Sequence, residues 1–83
     1  QKDLNLRIRN LDEAVTNRML RQAFSAIGPV SSTCVIRDEY GVSRLYGYVY
    51  YANAEDSRCA LSAMDRHLLG TKQILVSIDP RNF

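Results

Sequence analysis

Arg44-Leu45-Tyr46-Gly47-Tyr48-Val49-Tyr50-Tyr51 places three tyrosines at alternate positions behind an arginine. In an extended chain successive side chains point to opposite faces, so Arg44, Tyr46, Tyr48 and Tyr50 share one side. Leu45, Gly47, Val49 and Tyr51 share the other and read as core, Leu45 included. The first set presents a cation followed by flat π-surfaces. A single-stranded nucleic acid needs that combination, positive charge for phosphate and aromatic faces for unstacked bases. The competing reading is an edge strand whose tyrosines only cover the sheet.

Upstream, Leu4, Leu6 and Ile8 alternate with Asn5, Arg7 and Arg9, which predicts a half-buried strand over residues 4–9 with both arginines outward. Thr16 is placed to cap a helix and Val15 and Leu20 to staple its start. Leu20, Ala23, Phe24 and Ile27 recur at helical spacing until Gly28-Pro29 ends it. Residues 31–37, rich in β-branched side chains, form a second strand, and residues 38–43 turn around Gly41 into the tyrosine strand. Asn53 is expected to cap a second helix over about 54–65, with Ser57, Ala60, Leu61 and Met64 as its apolar stripe. Gly70 marks a turn, and Ile74, Val76 and Ile78 alternate with Leu75 and Ser77 in a last strand that Pro80 stops.

The order strand, helix, strand, strand, helix, strand is the split βαβ plan. It predicts an α+β fold, a ferredoxin-like βαββαβ sandwich with a four-stranded antiparallel sheet and two helices on one face. The other face is left open, and the tail from Asp79 to Phe83 is placed to cross it.

Eighty-three residues make one domain, 1–83, with a modest core and no room for a cofactor-sized cavity. Eleven basic and nine acidic residues give a net charge of +2, so an electrostatic case must rest on local placement. No apolar run approaches the roughly 18–20 residues of a membrane span, and no signal-like segment opens the chain. Cys34 and Cys59 lack metal-ligand spacing and read as reduced, partly buried thiols, which fits the cytoplasm or nucleus. The terminal Gln1 and Phe83 suggest a module excised from a longer protein. Catalysis finds no support in the residues. His67 has no evident nucleophile or carboxylate partner, and Asp12 and Glu13 would repel a phosphate in the first strand–helix loop. That pair reads as a solvated helix start, and no catalytic residue, metal ligand or cofactor is assigned.

The tyrosine stretch also resembles the octamer of the RNA recognition motif family, [KR]-G-[FY]-[GA]-[FY]-[ILV]-x-[FY], at seven of eight positions. Leu45 stands where that pattern has glycine. Leu6-Arg7-Ile8-Arg9-Asn10-Leu11 is similar to the family's shorter motif, with Arg7 in place of its aromatic. The resemblance implies that the two motif strands lie at the sheet centre and that Tyr48 stacks a base. Tyr46 would meet a ribose or neighbouring base, Arg44 a phosphate, and Tyr50 either RNA or its own sheet. Arg9 and Arg37 are further cations expected near the sheet surface, as ligands or as solvated side chains. Val15 to Val30, Arg37-Asp38, Ala60 to Asp65 and Asp79-Pro80 most resemble the cytoplasmic poly(A)-binding proteins and their relatives. Arg7 puts poly(A) preference in question, and Arg7→Tyr is expected to strengthen binding.

These readings predict a monomeric, non-enzymatic module of a poly(A)-binding-like protein. It would bind single-stranded RNA, an mRNA by this resemblance, beside sister domains or a protein partner and without a membrane. The alternative is a recognition motif used for protein contacts. The peptide-binding variant of the family carries Arg-x-Phe after its second helix, where this chain has Leu69-Gly70-Thr71-Lys72-Gln73. A phosphate-handling enzyme is the third possibility.

Overall fold

The computed structural model describes residues 5–79. Strand β1 (Asn5–Arg9) leads to helix α1 (Asn17–Ser25), and β2 (Val30–Arg37) and β3 (Ser43–Tyr51) follow as a hairpin. Helix α2 (Ala54–Ala63) precedes a two-residue-per-strand hairpin, β4 (Leu68–Leu69) and β5 (Lys72–Gln73), and β6 (Leu75–Ile78) closes the sheet. The main sheet has the order β2-β3-β1-β6, and every pairing in it is antiparallel. This is the ferredoxin-like plan expected from the sequence, with β1 and β3 in the middle. The β4–β5 hairpin was not anticipated, because strands this short show no period.

Alternation explains the layering. Leu6 and Ile8 of β1, Val49 and Tyr51 of β3, Val35 of β2 and Val76 of β6 all point to one face, where Leu20, Phe24, Ala60 and Met64 meet them. Each large side chain buried there contributes roughly 1.5–3 kcal/mol relative to exposure. Gly47 occupies this layer between β1 and β2, opposite Ile8 and Val35. A side chain there would run into the Cys34 carbonyl, so the close approach of the strands requires glycine.

Helix α1 begins as predicted. The Thr16 hydroxyl accepts the Met19 amide at 3.2 Å, and Val15 and Leu20 are both fully buried. The helix ends at Ser25, and the Ile27 amide donates to the Phe24 carbonyl before Gly28-Pro29, since a residue preceding proline is driven out of the helical region. Its first residue also braces the sheet: Asn17 Oδ1 accepts the Val35 amide at 2.5 Å, and the Thr33 hydroxyl donates to the Asn17 carbonyl at 3.3 Å.

Four expectations are corrected. Leu45 is 41% exposed rather than core, because the pairing shifts between Val35–Gly47 and Arg37–Ser43 and the resulting bulge breaks the alternation. Asn53 has the extended backbone of a cap but makes no side-chain cap hydrogen bond, and its side-chain amide donates to Asp56 at 3.4 Å instead. Cys34 and Cys59 are both exposed. Asp12 is not merely solvated: it accepts the Ala14 amide at 2.9 Å, the Thr71 amide at 3.1 Å and the Thr71 hydroxyl, tying the β1–α1 loop to the β4–β5 turn. Leu4, Pro80 and the tail crossing the open face lie outside the described residues.

Candidate nucleic-acid interface

Both helices pack on one sheet face, so the opposite face is built from the alternate residues of the same strands. Asn5, Arg7 and Arg9 of β1 face Tyr50, Tyr48 and Tyr46 of β3 one for one. Beyond β3, Ser32 lies opposite Tyr50 and Cys34 opposite Tyr48. Beyond β1, Ser77 lies opposite Arg7 and Leu75 opposite Arg9. Cys34, Tyr48, Arg7 and Ser77 thus form one row across all four strands. None of these open-face residues is acidic.

The tyrosines make an ordered platform. Tyr48 and Tyr50 are stacked at 7° with centroids 6.3 Å apart, and Tyr46 meets Tyr48 edge-on at 85° and 6.0 Å. All three are half-buried. Edge-on and offset-parallel contacts are the geometries that the aromatic quadrupole favours, so the rings hold one another in place. An unstacked base can lie on such a surface.

The cations divide by position. Arg9 is exposed on the open face beside Tyr46. Arg7 is half-buried, and its Nε is covered without a hydrogen-bond acceptor. Arg44 is exposed next to the β3 bulge, and its charge helps hold the Asp38 carboxyl below its ordinary value; the Val42 amide is the larger cause, with the Tyr40 amide between them. Arg37 is not on this face. It shares the helix side with Val35 and donates to the Gly41 carbonyl at 3.1 Å and the Val15 carbonyl at 3.5 Å. Its expected place near the open surface is therefore corrected.

Three motif residues serve the fold. Asn10 adopts a φ of 59° and its side-chain amide donates to the Gln73 carbonyl at 2.8 Å. Leu45 has a φ of 66°, the left-handed region that favours glycine, which explains why glycine suits the second octamer position. Tyr51 is buried, its hydroxyl donates to the Phe24 carbonyl at 2.6 Å, and burial pushes its ionisation upward. Asn5, Ser32, Cys34 and Ser77 were not singled out from the sequence. The two-residue period places Asn5 and Ser77 once β1 and β6 are recognised; Ser32 and Cys34 require the register of β2.

The sequence pattern of the RNA recognition motif matches residues 6–75. The chain belongs to the RNA recognition motif family. It is 38% identical over 74 residues to the polyadenylate-binding protein, cytoplasmic and nuclear, of Eremothecium gossypii, covering 89% of this chain and 13% of that protein. It is 35% identical over 77 residues to polyadenylate-binding protein 5 of Arabidopsis thaliana, covering 93% of this chain and 11% of that protein. The recognition motif described here therefore spans only a small part of the length of these relatives. Among solved structures it superposes on a Sxl-lethal protein/RNA complex with a TM-score of 0.91 at 28% identity, over 98% of this chain and 49% of that one. The second RRM domain of yeast poly(U)-binding protein gives a TM-score of 0.86 at 26% identity, over 96% and 98% of the two chains.

Proposed function

We propose that this domain binds single-stranded RNA, about two to four nucleotides of it, on the open sheet face. The observation that carries this reading is the one-to-one pairing of Arg7 and Arg9 with the ordered tyrosine platform on a face that the helices leave uncovered. Tyr48 stacks a base, Tyr46 and Tyr50 support its neighbours, and Arg9 and Arg44 meet phosphates. Kinship with polyadenylate-binding proteins and likeness to a protein/RNA complex support the ligand class. The natural context is an mRNA-binding protein of the cytoplasm or nucleus. Sister domains there would raise a weak single-domain affinity through effective concentration. No catalytic role is assigned to any residue.

An NMR titration with short oligoadenylate, oligouridylate and mixed RNAs tests the proposal. Shifts concentrated on β1 and β3 are expected. Shifts confined to α1 and α2, or none with any RNA, would replace it with a protein-contact role.

A further inference from the structure

The family pattern has an aromatic where this chain has Arg7, and the surroundings of that arginine are specific. It stands in the middle row of the sheet, between Tyr48 on β3 and Ser77 on β6. The Ser77 hydroxyl is directed to the Arg7 carbonyl at 3.4 Å rather than to its side chain. Nε is covered by protein and has no acceptor, and among the described residues no carboxylate or carbonyl is bonded to the guanidinium. Of the guanidinium nitrogens, only Nε is both covered and without a partner among the described residues. Among the described residues the fork of N–H donors therefore meets no protein acceptor, which leaves it to a ligand or to water.

We propose that Arg7 is a specificity-determining residue that selects guanine at the sheet centre, an inference that rests on the RNA-binding reading above. Guanine offers O6 and N7 side by side, two acceptors that match the arginine fork. Adenine presents an amino donor beside N7 on the same edge, which faces the fork with like polarity; cytosine presents only a donor there, and uracil a single carbonyl. Position favours a base over a phosphate. Arg7 is directly across from Tyr48, where a base lies flat, whereas the more exposed Arg9 and Arg44 are available to the backbone.

The test compares binding of short uridine oligomers carrying one central guanosine, 7-deazaguanosine or adenosine, by fluorescence anisotropy, to the parent chain and to Arg7→Lys. The parent should prefer guanosine over adenosine by about 5- to 150-fold, the range of one good bidentate pair. Replacing N7 by carbon should remove most of that preference without altering the protein. Arg7→Lys, which keeps the charge but not the fork, should lose the preference because the guanosine oligomer is weakened more than the adenosine one. Equal binding of guanosine and adenosine oligomers by the parent, or a preference that survives in Arg7→Lys, overturns the assignment and leaves RNA binding standing. Equal weakening of all oligomers by Arg7→Lys would show a base-independent use of the guanidinium plane, by stacking or by a bidentate backbone clamp, and also overturn it. Absence of binding to every oligomer overturns the RNA reading and the guanine assignment together.

Discussion

The Leu45 carbonyl accepts the Leu11 amide at 3.0 Å, so the bulge in β3 and the chain leaving β1 form one hydrogen-bonded unit. Leu45 holds this contact from a left-handed backbone, φ 66°, with 41% of its surface exposed. A non-glycine residue in that region is strained by roughly 1–2 kcal/mol, and glycine gives back part of the relief through its freer unfolded chain. Leu45→Gly should therefore stabilise the domain by about 0.5–1 kcal/mol. A lower urea midpoint at unchanged m-value would show that the leucine side chain contributes more than its backbone costs.

Tyr48 and Tyr51 are on opposite faces of β3, and substitutions at the two should separate affinity from stability. Tyr48→Ala should weaken RNA binding by roughly 1–3 kcal/mol, the worth of one base–aromatic stack, while the domain stays folded. Tyr51→Phe removes the hydroxyl bond to the Phe24 carbonyl and should cost about 0.5–1.5 kcal/mol of stability with RNA affinity retained. Paired isothermal binding and denaturation curves check both; intact binding in a folded Tyr48→Ala domain would remove the platform from the interface.

The Asp12 carboxyl is held below its ordinary value of 3.8, first by the Ala14 amide, then by the Thr71 hydroxyl and amide, with Lys72 adding a smaller pull. A depressed folded-state pKa stabilises the protein above the unfolded value and is lost as pH falls through the folded one. Stability should thus decline below about pH 4 as Asp12 protonates. Asp12→Asn should flatten that acid limb and lower the midpoint at neutral pH. Urea titrations from pH 2 to 6 measure the difference, and identical profiles would mean that the loop-to-loop tie is energetically silent.

Arg37 is turned to the helix side, so among the arginines proposed for phosphate Arg9 and Arg44 remain. At about 0.7 per contact on a single strand, the plot of log affinity against log salt should have a slope near −1.4. A slope several times steeper would point to a basic surface elsewhere, and Arg37→Gln should leave the slope as it is.

Arg7→Tyr exchanges a hydrogen-bonding fork for a stacking plate. A full stack is worth roughly 1–3 kcal/mol and an exposed cation–π contact about 0.5–1, so adenosine-rich oligomers should gain up to about tenfold. The guanosine preference should disappear in the same variant. Loss of affinity for both base types would instead make Arg7 a general anchor for the strand.

The elements with strong contrast were legible in the sequence. Leu6 and Ile8 against Arg7 and Arg9 defined β1, where apolar and charged residues alternate, and Gly47 and Val49 against Tyr46, Tyr48 and Tyr50 defined β3 beyond its bulge. Strand β2 gave less, since Ser32, Thr33 and Cys34 are all small and do not disclose which side is core; contact with Val15 and Asn17 decides it, and with it the face of Arg37. The bulge at Leu45 depends on how β2 and β3 pair over the whole hairpin, a long-range property that a local period cannot carry. Asn53 has the right residue type for a cap, but Asp56 three positions on competes for its side chain.

The Asn17 bond to the Val35 amide also bears on how separate copies of the domain behave toward one another. Strand β2 is an edge, and an edge strand's outward amides are templates for an incoming strand and so for aggregation. Asn17 occupies one of them in mid-strand, and its own carbonyl holds the neighbouring Thr33 hydroxyl. The start of α1 thus interrupts, on the rim farthest from β6, the row of donors that a second chain would have to extend.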